Sequence, residues 1–221
     1  MATDAFRIRP YEPSDEAAVY AVCLQTGDAG RDATRLYTDP RALGHVFVGP
    51  YLHLEPELAF VLADAAGVCG YVLGALDSAK FYRACLERWL PPLRQQHPKP
   101  GGDPARWTPT QRLYHAYHHP EVYFPDSFKD YPSHLHIDLL PRAQGRGWGA
   151  RMVGRLIDCL AARGSVGVHL GLSAANLRAD RFYRKLGFIE LARVGVEHPQ
   201  TVYLGKPLVA PRAVAGSGLS P

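Results

Sequence analysis

"AQGRGWGARM" (143–152) sets three glycines at alternate positions behind a glutamine. It follows the apolar run "HLHIDLLP" (134–141) after one residue, Arg142, and directly precedes a stretch with helical spacing. Past the loop, Met152, Val153, Leu156, Ile157 and Leu160 recur at i, i+3 and i+4, so one face of a helix over 147–164 is committed to covering a sheet. That helix therefore begins at the end of a strand over 134–140. Its first-turn N–H groups and its dipole make an anion site, and glycine lets a phosphate come close to the backbone. Arg142, Arg146, Arg151 and Arg155 fall within 142–155 without a carboxylate among them, which makes the region locally positive. A pyrophosphate is the expected guest.

Two phosphate loops are excluded by what the chain lacks. A P-loop needs G-x-x-x-x-G-K-[ST], and no Lys-Ser or Lys-Thr pair occurs anywhere. A dinucleotide loop needs G-x-G-x-x-G after an early strand with an acid about 20 residues on. Here the order is G-x-G-x-G behind Gln144, deep in the chain.

Outward from the loop the elements alternate. "SVGVHLGLS" (165–173) reads as a strand and "NLRADRFYRKLG" (176–187) as a helix closed by Gly187; "FIELARVGVE" and "TVYLGKPL" read as a hairpin around His198-Pro199. Toward the N-terminus, 5–10 reads as a strand and 13–27 as a helix capped by Ser14. Region 39–48 reads as a short helix and 58–76 as a hairpin around "DAAG". Residues 78–97 read as a helix through Phe81, Leu86 and Leu90 that Pro91-Pro92 break or kink. Residues 98–133, rich in Pro, His and aromatics, read as an insertion packed on the domain. The tail 209–221 is small, polar and expected to be disordered.

With 221 residues, 47% hydrophobic and 21% charged, the chain has the makings of one domain over 1–208. The net charge of +4 is not gathered into Lys/Arg runs, so anionic small ligands fit better than nucleic acid. No apolar run suits a signal peptide or a membrane span, and a cytoplasmic location with no membrane partner is expected. Cys23, Cys69, Cys85 and Cys159 stand singly and read as reduced, buried small hydrophobes.

"QGRGWG" (144–149) matches the Q/R-x-x-G-x-G/A signature of the GNAT acetyltransferases, and "NLRADRFYRKLGF" (176–188) matches their second motif. The chain resembles that family from Phe6 to Leu208. More narrowly, "GSVGVHL", "FYRKLGFIELARV" and "VYLGKPL" resemble the acetyltransferase-like domains at the C-terminal end of O-GlcNAcases. The resemblance implies an α/β (α+β) GNAT fold: a mixed β-sheet flanked by helices on both faces and splayed between its fourth and fifth strands, with acetyl-CoA as cosubstrate in the V. It also implies that Leu139 and Leu140 offer backbone groups to the pantetheine and that Gln144, Gly145, Arg146, Gly147, Trp148 and Gly149 offer amides to the pyrophosphate. Asn176 takes the place of a polar contact to the cofactor arm, and Tyr183 that of the residue beside the thioester sulfur.

The chemistry sets its own requirements. Acetyl transfer to an amine needs the ammonium deprotonated, an oxyanion stabilised and a proton for the departing thiolate. A tyrosine, with a pKa of about 10 against about 8.5 for a thiol, stays protonated until the thiolate forms, which suits Tyr183 to the acid role; the bland alternative is a core tyrosine. On an ideal strand His134, His136 and Asp138 share one face, while family members often carry a bulge there that reverses the facing. Asp138 is the candidate base beside the alternative of a merely satisfied carboxylate, with His134 and His136 in reserve.

His115, His118 and His119 have helical spacing but sit at a break and bring no cysteine, so no metal is expected. Trp107, Tyr114, Tyr117, Tyr123, Phe124 and Tyr131 are expected to wall the acceptor pocket. The favoured function is an N-acetyltransferase moving the acetyl group of acetyl-CoA to a primary amine, small molecule or peptide lysine, by direct attack in a ternary complex. The competing reading is a catalytically inactive acetyl-CoA-binding or interaction module. A homodimer paired through the C-terminal strands stays open.

Overall fold

The computed structural model describes residues 6–195 and 200–208. Its sheet is organised by the hairpin of β2 (Ala59–Asp64) and β3 (Gly67–Ala75). Cys69 to Ala75 are buried throughout, as expected of a strand covered on both faces. With β1 (Arg7–Pro10), β4 (Ser133–Leu139), β5 (Gly167–Ser173), β6 (Ile189–Val194) and β7 (Thr201–Pro207), they make a seven-stranded sheet in the order β1-β2-β3-β4-β5-β7-β6. Every neighbouring pair is antiparallel except β4 and β5, which run parallel and pair only at Ser133 with Val168 and His134 with His169. Beyond His134 the two strands diverge, and the sheet opens into a V.

The crossover from β4 to β5 carries α7 (Trp148–Ala162), whose Met152, Val153, Leu156 and Leu160 are fully buried. A Cβ on Gly74 of β3 would stand 2.7 Å from Leu156 Cδ1, so the bare backbone at 74 lets this helix lie close. Truncating Leu156 to alanine would cost about 3 kcal/mol through lost burial and the cavity left. The opposite face of β3 and β4 is covered by α1 (Glu16–Thr26) and, past it, α2 (Ala42–Phe47) and α3 (Gly49–Leu54). The second motif forms α8 (Leu177–Lys185), and Gly187, at φ 84°, turns the chain from its end into β6. Among the described residues no helix is long and apolar enough to cross a membrane.

Three local expectations change, and a fourth, the short helix at 39–48, is met and followed by a second helix. Ser14 is not a cap: Pro13–Asp15 form a 3₁₀ turn before α1, and the Asp15 carboxylate instead accepts the Glu12 N–H at 2.9 Å. The 39–48 region holds α2 alone, with α3 following at once behind Gly49-Pro50, a proline that begins a new helix as readily as it ends one.

The stretch 78–97 runs as α4 (Ser78–Ala84), a π-helical turn over Cys85–Trp89 and α5 (Leu90–Gln96), with Leu86 exposed rather than packed. Pro91 and Pro92 have no N–H for the carbonyls of Glu87 and Arg88, and the helix widens upstream instead of breaking at the prolines. Finally, the insertion contains a regular ten-residue helix, α6 (Pro109–His118), started by a reciprocal Thr108/Gln111 cap. His115 and His118 therefore lie on a helix, not at a break. The expected turn at His198-Pro199 and the tail 209–221 lie outside the described residues.

Candidate active site

Where β4 and β5 part, a groove of about 490 Å³ opens. Ile137, Asp138 and Leu139 of β4 form one wall, the Gln144–Ala150 turn its head, and Asn176, Arg178, Phe182, Tyr183 and Lys185 of the second motif the other wall. The turn is held in place by Gln144, whose Nε2 donates to the Leu139 carbonyl at 2.6 Å. Gly145 and Gly147 adopt φ of 74° and 79°, left-handed values that cost a Cβ-bearing residue about 1 kcal/mol. Gly149 is needed for a different reason: a Cβ there would meet Phe182 at 3.2 Å and Leu139 at 3.3 Å. Among the described residues no backbone bond takes the N–H groups of Gly145 to Ala150, so a row of donors faces out at the start of α7.

Not every expected residue faces this groove. The Leu140 N–H is spent inside the sheet on the Cys69 carbonyl (2.8 Å), and its side chain is buried. The side chains of Trp148 and Arg146 go elsewhere, Trp148 packing on Phe6 at 5.7 Å and Arg146 lying over the same ring at 5.5 Å. The part expected to bind, their N–H groups, is left unspent among the described residues. The other arginines also turn away: Arg142 pairs with Asp64 at 2.8 Å, Arg151 covers Trp148 and Arg155 covers Phe60. The cations that do line the groove are Arg178 and Lys185, on α8. Their signal was present, since both lie within the second motif, but the loop's own arginines drew the electrostatic reading.

Tyr183 is 7% exposed, lines the groove, and among the described residues has no hydrogen-bonding neighbour that would hold its phenol. Burial, and after it the charge of Asp138, pushes that phenol well above its ordinary pKa. Asp138 and His136 share one face of β4, which pairs with β3 in unbroken register, so the bulge familiar in this strand is not seen here. Opposite Asp138 in that register stands Tyr71, which donates to Asp138 Oδ2 at 2.6 Å and contacts His136 Nε2 at 2.9 Å. Asp138 is thus aimed at the groove by a buried tyrosine that sequence reading did not single out, because the pair is 67 residues apart.

His134 lies in neither cavity: it is 4% exposed, bonded to Ser78 Oγ at 2.7 Å and stacked on Tyr82. Burial holds its pKa well below the usual imidazole value, so it stays neutral. Asn176 lines the groove, but its Oδ1 accepts the Ala179 N–H at 3.1 Å as the cap of α8, leaving its amide NH₂ for other partners.

A second cavity, about 470 Å³, lies among α2, α3, the irregular α4–α5 helix, α6 and residues 119–122. Of the six rings expected at an acceptor pocket only Tyr117 lines it. Tyr123 and Phe124 pack on Phe128, Tyr203 and His169, and Trp107 stacks on His115. Phe47 belongs to this cavity and also packs on His136, 5.9 Å between ring centres.

A parallel pair of strands parted beyond two residues, with an amide-lined turn in the gap, makes a groove built to take an anionic ligand. The model of the acetyltransferase (GNAT) family matches residues 102–188. SsHAT, a solved structure, is 42% identical with a TM-score of 0.84 over 93% of this chain and 99% of its own. The rat (Rattus norvegicus) protein O-GlcNAcase is 31% identical over 204 residues, 92% of this chain but 22% of that protein, so the chain spans about a fifth of that relative's length. YncA of Salmonella typhimurium, solved with its cofactor acetyl-CoA, shares the fold at 18% identity and a TM-score of 0.54, over 95% of this chain and 97% of its own. The chain belongs to the GNAT acetyltransferase family.

Proposed function

We propose that the protein is an acetyl-CoA-dependent N-acetyltransferase acting on a primary amine, in a ternary complex and without a covalent enzyme intermediate. The observation that carries this reading is the juxtaposition of Tyr183 and Asp138 in one groove, a protonated phenol with no internal partner beside a carboxylate held at an angle by Tyr71. Acetyl-CoA fits the groove: the free amides of 145–150 suit a pyrophosphate, and Arg178 and Lys185 supply the charge. Bound there, it supplies an activated thioester.

The chain's own groups do the rest. Asp138 accepts the proton of the incoming ammonium, freeing the nitrogen lone pair to form the C–N bond. As the C–S bond breaks, Tyr183 gives its phenolic proton to the sulfur, and its raised pKa keeps that proton available at any physiological pH. The amine, a small molecule or a peptide lysine, approaches from the side of Phe47 and His136, where the second cavity adjoins the Tyr71–Asp138 network.

The test is thiol release from acetyl-CoA over a panel of amines and lysine peptides, wild type against Tyr183→Phe, alongside calorimetry of acetyl-CoA binding. Turnover that the variant loses while binding persists supports the reading. Binding with no turnover above the variant's would make the protein an inactive acetyl-CoA module instead.

A further inference from the structure

Away from the groove, three side chains from distant parts of the chain converge: Asp39 before α2, His45 within α2 and His97 at the end of α5. One carboxylate oxygen and one ring nitrogen from each histidine all lie within 4.8 Å of one another. We propose that Asp39, His45 and His97 bind a single divalent transition-metal ion, with zinc preferred and water completing the coordination. Two imidazoles and a carboxylate suit zinc, and tetrahedral bonds of about 2.0–2.1 Å need ligand atoms about 3.3 Å apart. Each ligand has to move inward by less than about 1 Å, which side-chain rotation supplies.

Each ligand is oriented from behind by α6. Tyr114 donates to Asp39 Oδ2 at 3.0 Å, and the Arg41 N–H takes Oδ1 at 2.8 Å, leaving each oxygen a further lone pair. The Tyr117 hydroxyl gives its proton to the Ala42 carbonyl at 3.1 Å, so its 3.2 Å contact with His45 Nδ1 has the imidazole N–H as donor. That fixes the tautomer and leaves the Nε2 lone pair of His45 unprotonated.

His97 is held twice, its ring against Tyr114 at 4.5 Å and its carbonyl by His118 Nε2 at 2.9 Å. Two nearby cations are drawn off: Arg41 pairs with Glu16 at 2.8 Å and lies over the Tyr20 ring, and Arg94 donates to the Tyr117 carbonyl at 2.7 Å. Outer partners that fix tautomer and carboxylate orientation are what tuned metal sites share, and here three successive inward positions of one helix supply them.

The full chain, stripped with chelator, is melted with zinc and, as control, magnesium; cobalt(II) is added in parallel and its visible absorption recorded. Zinc is expected to raise the unfolding midpoint by about 5 °C or more at a hundredfold excess over its Kd, magnesium not at all. Cobalt is expected to give the intense visible bands of a tetrahedral site. Asp39→Asn and His97→Gln, both partly exposed positions, should each abolish the zinc shift and the bands; His45, being buried, is left intact. A wild type without a zinc shift or without the tetrahedral cobalt bands overturns the proposal. So does a shift that survives in both variants, which would put the ion on other histidines such as the stacked pair His115 and His119.

Discussion

The Tyr71 hydroxyl donates to Asp138 Oδ2 at 2.6 Å across the β3–β4 pair and, having given its proton there, accepts from His136 Nε2 at 2.9 Å. Burial first, and the Asp138 charge second, keep the Tyr71 phenol protonated, so it acts as a donor at all working pH values. Its removal leaves the carboxylate free to swing. Tyr71→Phe is expected to lower kcat about tenfold, ~1.4 kcal/mol, with the KM for acetyl-CoA unchanged, because the lost bond orients the proposed base and not the cofactor. Asp138→Asn, which removes the proposed base, should lower kcat by about 10²–10³. Steady-state kinetics read both, and an unaltered kcat in Tyr71→Phe would mean that Asp138 needs no such orientation.

Tyr183 gives a prediction in pH. A phenol acting as acid is lost when it ionises, and burial beside Asp138 moves that ionisation up from the ordinary value of about 10. The rate should therefore hold from about pH 8 to about pH 10, with no falling basic limb from this group. Tyr183→Phe should cut kcat by about 10²–10³ across the same range while acetyl-CoA binding is retained. A basic limb below pH 10 that disappears in the variant would show the phenol ionising early and the assigned proton donor to be wrong.

The groove is lined by the cations of α8 and not by those of the loop, and under the proposed function it is these that recognise the charge of the cofactor. Arg178→Glu should weaken acetyl-CoA binding about tenfold, ~1.4 kcal/mol, and steepen less with salt than wild type. Arg151→Glu, whose guanidinium lies 4.6 Å from the Trp148 ring centre, should change it by less than about threefold. Calorimetry at two salt concentrations separates them, and a larger loss in Arg151→Glu would return the site to the loop arginines.

Much of this was legible in residues whose effect is local. The glycines of 145–149 announce a turn because only φ and side-chain volume are at stake, and the apolar face of α7 announces the sheet it covers. What stayed hidden depends on partners far along the chain. Arg142, Arg146 and Arg155 are long enough to swing toward Asp64, Phe6 and Phe60, and no spacing tells which way they go. The Tyr71–Asp138 bond is a matter of strand register, and the π-helical turn at Cys85–Trp89 of how a helix absorbs two prolines. Ser14 lost its cap to its neighbour because Asp15 also meets Arg9, a strand residue.

Gly147 and Gly149 separate stability from binding. Gly147 sits at φ 79° with open space around it, so Gly147→Ala should cost about 1 kcal/mol of stability through backbone strain alone. Gly149→Val pushes branched carbons against Phe182 and Leu139, narrowing the groove at the turn. It should weaken acetyl-CoA binding more than about tenfold. Thermal melts and calorimetry on the two variants check this, and undiminished binding in Gly149→Val would place the cofactor elsewhere.

Arg9 and Asp15 tie β1 to the start of α1 through two bonds, 2.6 and 2.7 Å, with the carboxylate also taking the Glu12 N–H. The Arg9 bonds are the main cause holding the Asp15 carboxyl below the usual carboxylate range. The unfolded chain, with an ordinary value of about 3.9, therefore takes up the proton first as pH falls. The stability contributed by this pair is fully present above about pH 4 and drains away as pH drops through the lower, folded value. Asp15→Asn keeps the shape but not the charge, and should cost about 2 kcal/mol at pH 7, a deficit that shrinks below pH ~4 as the wild type itself loses the ionised form. Urea unfolding of both proteins at pH 7 and at pH 3 measures it. A deficit of the same size at both pH values would mean that the carboxylate works through shape and the Glu12 bond, and that its charge on Arg9 contributes nothing.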